Sequence, residues 1–503
     1  MNPFTLHYRA ALACITRTAR VALVALVALS ALALAGCNTL IPRNSAITQV
    51  QPDGGYRISN LLKREERPRN SADALVLLAF SGGGTRAAAL SYGVLEELRR
   101  TPVTVKGDTH AMLDEVDMVS GVSGGSFTAL AYALHGDRLF TEYESRFLKR
   151  DVQGELLSRA LNPRNWGDLV NLGYGRSELA ADYYDEILFG GATFGDLLKR
   201  PQSPAALVTG TDLSTGARFD FTQDNFDLLC SDLSTVRLAR AAATSSAVPV
   251  VLSSVTYANH GGHCNAVLKP RLQEVGRLDP AARPVGRELL RYRETIDLQD
   301  SERRPFIHVV DGGVSDNLGV RGMIDAFQDM EASPQFQKDI GYAALRHIVV
   351  IVVNSRSSPS TDWDRTAVPP GFVSQLLQAS SVPIDHFSSD SVALLSDIAR
   401  HWGNRRKLEV AQKRIDGMTR EQAEAAVQDI TFDAIDVSFD AVADSKERSY
   451  FMNLPTSFVL SDDQVDKLRA LGGQLLRDSP AFKKLLGAIA SGNAASARVP
   501  KQP

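Results

Sequence analysis

The run Asp117-Met-Val-Ser-Gly-Val-Ser-Gly-Gly125 is a short apolar strand that breaks into Gly-x-Ser-x-Gly and then into a helical pattern. A glycine two positions to either side of Ser123 lets the chain turn sharply between strand and helix. Such a turn exposes one hydroxyl and aims the free N–H groups of the following helix beside it. Gly121 and Gly125 have that task, with Gly124 between the serine and the helix. Alone, the pentapeptide also fits a plain Gly/Ser-rich strand-helix connection. Context decides between the two. Upstream, Ala74-Leu-Val-Leu-Leu-Ala-Phe80 reads as a buried strand running into Ser81-Gly-Gly-Gly-Thr-Arg86, with a helical run from Ala87 to Arg100 behind it. Amides unobstructed by side chains can point at a developing oxyanion, which makes Gly82, Gly83 and Gly84 oxyanion-hole candidates. Downstream, Phe306-Ile-His-Val-Val310 is a further apolar strand ending in Asp311-Gly-Gly313, a carboxylate at the same kind of strand end.

Taken in order, the Gly-Gly-Gly-x-Arg loop, the Gly-x-Ser-x-Gly turn and the Asp-Gly-Gly of Asp311, Gly312 and Gly313 resemble the patatin-like phospholipase family. Ala242-Ala-Thr-Ser-Ser-Ala-Val-Pro249 is similar to the stretch such proteins carry between serine and aspartate. The resemblance covers roughly residues 73 to 355. It implies a three-layer α/β fold, with a central mainly parallel sheet and helices on both faces, and a Ser-Asp dyad that hydrolyses acyl esters of lipids without histidine. Carried over residue by residue, Ser123 is the nucleophile and Asp311 the general base.

A serine hydroxyl is a poor nucleophile near neutral pH and needs an adjacent base, an oxyanion hole, or both. An ordinary aspartate, with a pKa of about 3.9, is a weak base for that purpose. The chemistry therefore predicts a partly desolvated Asp311 whose pKa is raised, with the oxyanion hole carrying much of the catalysis. Asp316 and Asp212 are the alternative bases. Among the nine histidines, His347, His386 and His401 have the chain order of a Ser-acid-His triad, but none has a supporting motif. His308 reads as a structural residue of the strand leading to Asp311. His260 and His263, in Asn-His-Gly-Gly-His-Cys264, are spaced for a metal without a second pair to complete the site. The reaction needs no metal or cofactor.

Arg86 is expected to support the glycine loop rather than to meet anionic head groups, because a cation at a helix N-terminus is unfavourable unless something nearby offsets it. Gly82 to Ala87 also satisfies a dinucleotide-binding pattern, with Asp108 about the right distance downstream. That reading leaves Ser123 and Asp311-Gly-Gly313 unexplained.

Arg9, Arg17 and Arg20 precede an apolar run from Val21 to Ala35, which reaches Leu34-Ala-Gly-Cys37. The run is shorter than the roughly 20 residues that span a bilayer and has the flanks of a secretion signal. Its end resembles a bacterial lipobox, which implies cleavage before Cys37, lipid (palmitate among its acyl chains) on that cysteine and, from Asn38, sorting to the outer membrane facing the periplasm. An uncleaved anchor is the alternative. Export leaves Cys230 and Cys264 as the remaining thiols in an oxidising compartment, where they are expected to pair; two buried free thiols are the other possibility.

The chain of 503 residues carries a formal net charge of −3 with both signs interspersed, so nothing suggests a nucleic-acid partner. The expected organisation is a signal peptide over 1–36, a polar tether over 37–70, the hydrolase domain over 71–357, a C-terminal helical extension packed on the core over 358–490, and a frayed tail over 491–503. Within the domain, residues 139–200 form either a cap over the site, with Trp166, Tyr174, Tyr183 and Tyr184 exposed, or ordinary helical packing. The two readings that remain are a lipid-anchored acyl hydrolase acting on membrane lipid, and a non-catalytic envelope lipoprotein that keeps the fold for lipid or partner binding. Which lipid and acyl position are used, hydrolysis against acyl transfer, and oligomeric state are not legible.

Overall fold

The structure, a computed structural model, describes residues 44–63, 71, 73–105, 107–166, 174–200, 202–249, 251–358, 363–365 and 367–496. The expected signal segment, Cys37 and Asn38 lie outside the described residues. No helix among the described residues is long and apolar enough to cross a membrane.

Eight strands form one sheet: β1 (Ala74–Phe80), β2 (Val116–Gly121), β3 (Ala205–Asp212), β4 (Arg218–Asp220), β5 (Val255–Ala258), β6 (Phe306–Asp311), β7 (His347–Asn354) and β8 (Thr431–Ser438). Their order is β8-β7-β1-β2-β3-β6-β5, with β4 also on β3. The pairs from β8 to β3 are parallel, whereas β6 runs antiparallel to both β3 and β5. Every residue of β1, β2 and β3 is buried, as expected of strands covered by helices on both faces. Alternate residues of each strand feed two apolar clusters, Val76, Leu78 and Phe80 one and Leu75, Leu77 and Ala79 the other. This is an α/β fold with a mixed, mainly parallel sheet, helices on both faces and further helices at the C-terminus.

Three expectations change. The strand carrying Asp311 runs opposite in direction to β1 and β2 and lies across β3 from them, so Asp311 ends a strand antiparallel to theirs. The region after residue 357 supplies β8 as well as helices, and β8 pairs with β7 along its whole length. The tail starting at Ser491 is helical as far as Ser496.

The stretch read as a tether is, from Asn44 to Leu62, packed on the domain. Asn44 exchanges two hydrogen bonds of 2.8 Å with the backbone of Ala258. The Tyr56 ring is buried and its hydroxyl bonds the backbone of Ala206. Arg57 reaches Asp224 and Asp227 at 2.8 and 2.5 Å. The segment crosses a disulfide between Cys230 and Cys264, whose two carbonyls accept the amides of Ile47 and Val50.

Near the other end of the chain, α4 (Asp462–Asp478) lies against α1 (Gly84–Arg100), the helix after the glycine loop. A β-carbon on Gly93 would sit 2.1 Å from the Arg469 carbonyl oxygen, and one on Gly472 would sit 2.4 Å from that of Leu90. Glycine at both positions lets the two backbones touch. The strap Leu454–Phe458, described below, precedes α4 in the chain. Tyr174, Tyr183 and Tyr184, expected at the surface, are buried, and only Trp166 of that set is exposed. Tyr184 packs edge-on to Phe127 at 4.7 Å, in the core.

Candidate active site

One strand gathers the two reactive groups. Gly121, the last residue of β2, registers with Val208 of β3, and Asp311, the last of β6, registers with Gly210 of the same strand. Two chain segments that approach from opposite directions thus end two residues apart along β3. Beyond Gly121 the chain turns through Ser123, with φ 49° and ψ −121°, and enters α2 (Gly124–His135). A left-handed φ at a residue with a side chain is strained, and at this turn it lifts the hydroxyl out of the sheet.

The Ser123 hydroxyl donates to Asp311 Oδ2 at 2.9 Å. Both residues are buried, each 6 % exposed. Asp311 Oδ1 accepts the Gly313 amide at 2.7 Å. Burial raises the Asp311 pKa to about 6, and the bonds from Gly313 and Ser123 only partly oppose that rise. The carboxylate is therefore a stronger base than an ordinary aspartate while still ionised at neutral pH.

The glycine loop lies directly against the turn. A β-carbon on Gly82 would come within 3.3 Å of Ser123 Cβ, and one on Gly124 within 2.7 Å of the Gly84 nitrogen. Gly83 and Gly84 have φ of 139° and 60°, conformations that side chains oppose. The Gly82 amide is taken by the Asn317 carbonyl at 2.9 Å. Gly82 therefore shapes the loop and drops out of the oxyanion-hole set. The amides of Gly83, Gly84 and Gly124 have no hydrogen-bond acceptor among the described residues, and they are the donors left to face an oxyanion.

Arg86 is buried and holds the loop from behind. Its Nε donates to the Ser355 carbonyl at 2.9 Å, Nη1 to the Leu454 carbonyl at 2.5 Å and Nη2 to Thr456 Oγ1 at 3.0 Å. The Thr85 amide donates to the Ser457 carbonyl at 2.8 Å. Phe458, next in the strap, stands edge-on to Phe127 of α2 at 5.5 Å. Residues near the C-terminus thus hold the loop that supplies the free amides.

The other candidates go elsewhere. Asp316, pushed up to about 6 by burial, accepts the Arg321 amide. Asp212 accepts from Arg304 at 2.5 Å and from the Ser214 amide. His347 opens β7 at its N-terminal end and bonds Thr431, while His308 is exposed and bonds Thr256. His401 is exposed, and the His386 side chain lies outside the described residues. Groups of three or more His, Cys, Asp or Glu able to hold a metal are absent among the described residues. Asp108 sits exposed in a surface hairpin, Pro102–Val105 with Asp108–Ala111. The space a pyrophosphate would need against Gly84 is filled by Gly124 and Ser457 backbone.

Two participants escaped the sequence reading. Asn317 bonds Gly82 through its carbonyl and wedges its side-chain oxygen between Gly82 and Gly313, 2.4 and 3.0 Å from where β-carbons would lie. Ser245, inside the Ala242–Pro249 block, accepts the Ser123 amide on its hydroxyl at 2.9 Å.

Residues 78–324 match the family described as patatin-like phospholipase. Among solved structures, human GIVD cytosolic phospholipase A2 is similar at 14 % identity and a TM-score of 0.34, over 61 % of this chain and 51 % of that one. The same human enzyme in complex with methyl gamma-linolenyl fluorophosphonate gives 12 % identity and a TM-score of 0.37, over 88 % and 63 %. This chain therefore spans between half and two thirds of the length of those structures. No curated protein matches it.

Proposed function

We propose that this chain, whose residues 78–324 match the patatin-like phospholipase family, is a lipid hydrolase that cleaves carboxylic esters of membrane lipids by a Ser123–Asp311 dyad. The observation that carries this reading is the 2.9 Å bond between Ser123 Oγ and Asp311 Oδ2. It joins a strained turn to a carboxylate that burial has made more basic.

In the first half-reaction Asp311 Oδ2 takes the hydroxyl proton while Ser123 Oγ bonds the ester carbonyl carbon. The negative charge that gathers on the carbonyl oxygen is met by the amides of Gly83, Gly84 and Gly124, and by the N-terminus of α2. Collapse breaks the carbon–oxygen bond to the alcohol, which leaves with the proton from Asp311. Water then gives a proton to Asp311, attacks the acyl carbon and frees the acid, and the proton returns to Ser123. Histidine has no step here.

Lipid attachment at Cys37 and residence at the periplasmic face of an outer membrane complete the proposal, since an anchored enzyme would meet its substrate at the surface that holds it. The experiment is product analysis by mass spectrometry after incubating the protein with bacterial envelope phospholipid. Free fatty acid and lysophospholipid should form with the native chain and be absent with Ser123→Ala. Equal products from both, or none from either, would leave the non-catalytic lipid-binding reading in place.

A further inference from the structure

The Ala242–Pro249 block has no role in the steps above, yet it touches both strand ends that carry them. Helix α3 (Leu238–Ser245) stops at the site, and the carbonyls of a helix's last turn need partners from outside it. The Ser245 carbonyl accepts the Gly312 amide at 3.1 Å, and the Ala247 carbonyl accepts the Asp311 amide at 3.0 Å. Its side chain turns the other way. The Ser245 hydroxyl, fully buried, accepts the Ser123 amide at 2.9 Å.

We infer that Ser245 is a positioning residue for the reaction: one residue fixes the nucleophile's backbone with its hydroxyl and the base-bearing turn with its carbonyl. The need arises from Ser123 itself. It sits between the end of the strand and the first residue of the helix, at a φ of 49°, where the helix offers its amide no carbonyl, and the acceptor it has is the Ser245 hydroxyl. A buried amide without an acceptor is costly, and the turn would relax to avoid it. The Ser245 hydroxyl removes that incentive and so holds the turn where Ser123 Oγ reaches Asp311. The neighbouring hydroxyl does something else: Ser246 Oγ returns to the Ala242 carbonyl of its own helix at 2.8 Å.

This inference rests on the hydrolase reading, and its test separates the two. Ser245→Ala removes the hydroxyl and keeps the carbonyl on Gly312. With a long-chain alkyl fluorophosphonate as probe, the second-order inactivation rate should fall about ten- to a hundred-fold, as expected when a nucleophile is misplaced by a fraction of an ångström. The final stoichiometry should stay at one label per chain, and the acidic limb of the pH profile should stay close to the native one, because burial, the main cause of the raised Asp311 pKa, is unchanged. Ser245→Thr, which restores an oxygen, should recover most of the rate, and Ser246→Ala should react within about two-fold of the native protein. If Ser245→Ala does not fold, Ser245→Cys, with its weaker acceptor, should show the same slow reaction at full stoichiometry. Native rates in Ser245→Ala or Ser245→Cys, or a reduced labelled fraction with an unchanged rate, would overturn the inference while leaving the hydrolase intact. A native chain that never reacts would instead overturn the hydrolase reading.

Discussion

A β-carbon on Gly124 would lie 2.0 Å from the carbonyl oxygen of Gly84. The turn after β2 and the loop after β1 are therefore in direct backbone contact, which brings together the amides of Gly83, Gly84 and Gly124, the donors proposed for the oxyanion. Gly124→Ala should push the two apart. We expect a loss of about 1–3 kcal/mol in stability by denaturant unfolding and a fall in turnover of at least about a hundred-fold, since oxyanion donors act only when aimed.

The pH dependence follows from burial of the base. In the proposed mechanism Asp311 must be ionised to accept the Ser123 proton, and its pKa is raised to about 6. The kcat/KM of the native enzyme should be level above that pH and fall about ten-fold per unit below it. A limb centred near that of a free aspartate, about 3.9, would show that Asp311 is not the base.

The same burial makes Asp311 a cost to the fold. A carboxyl whose folded pKa lies above its unfolded value holds its proton more tightly in the native state. Its charge is therefore no burden below about 3.8, becomes one progressively between 3.8 and about 6, and burdens the fold fully above that. Asp311→Asn carries no such charge and can still accept the Gly313 amide. Its stability advantage over the native chain should be absent at pH 3.5 and grow to as much as about 3 kcal/mol by pH 8, with activity lost throughout. Thermal unfolding of both proteins across that range measures it.

The disulfide closes a loop of 34 residues under the Asn44–Leu62 segment. Replacing Cys230 and Cys264 by serine should cost about 3–4 kcal/mol in the chain-entropy picture and should also loosen the segment that leans on their carbonyls. Hydrogen exchange at the Ile47 and Val50 amides should rise with it.

What could be read from the sequence, and what could not, divides along local and distant constraints. The glycines around Ser123 and before Arg86 are demanded by the turns that contain them, so the chain announces them. Asp311 follows an apolar strand into Gly312 and Gly313 and is equally legible, but the direction in which that strand enters the sheet depends on β3 and β5, far away in sequence. In sequence Gly82 is indistinguishable from its two neighbours; the Asn317 carbonyl on its amide sets it apart. Ser245 and Asn317 act through individual hydrogen bonds to residues far away in sequence, which leaves no periodicity to notice. The Asn44–Leu62 segment hid among polar residues because a few side chains, Tyr56 and Leu62 above all, anchor it. In β8, the signal was present: Ile435 and Val437 alternate with polar neighbours, the pattern of an edge strand.

The most direct measurement is the site and rate of covalent labelling by a long-chain alkyl fluorophosphonate in the native chain, Asp311→Asn and Ser123→Ala. The account predicts a single phosphonyl adduct on the peptide containing Ser123, formed at least about a hundred-fold more slowly in Asp311→Asn and not at all in Ser123→Ala. An adduct on another residue, or a native rate in Asp311→Asn, would contradict it.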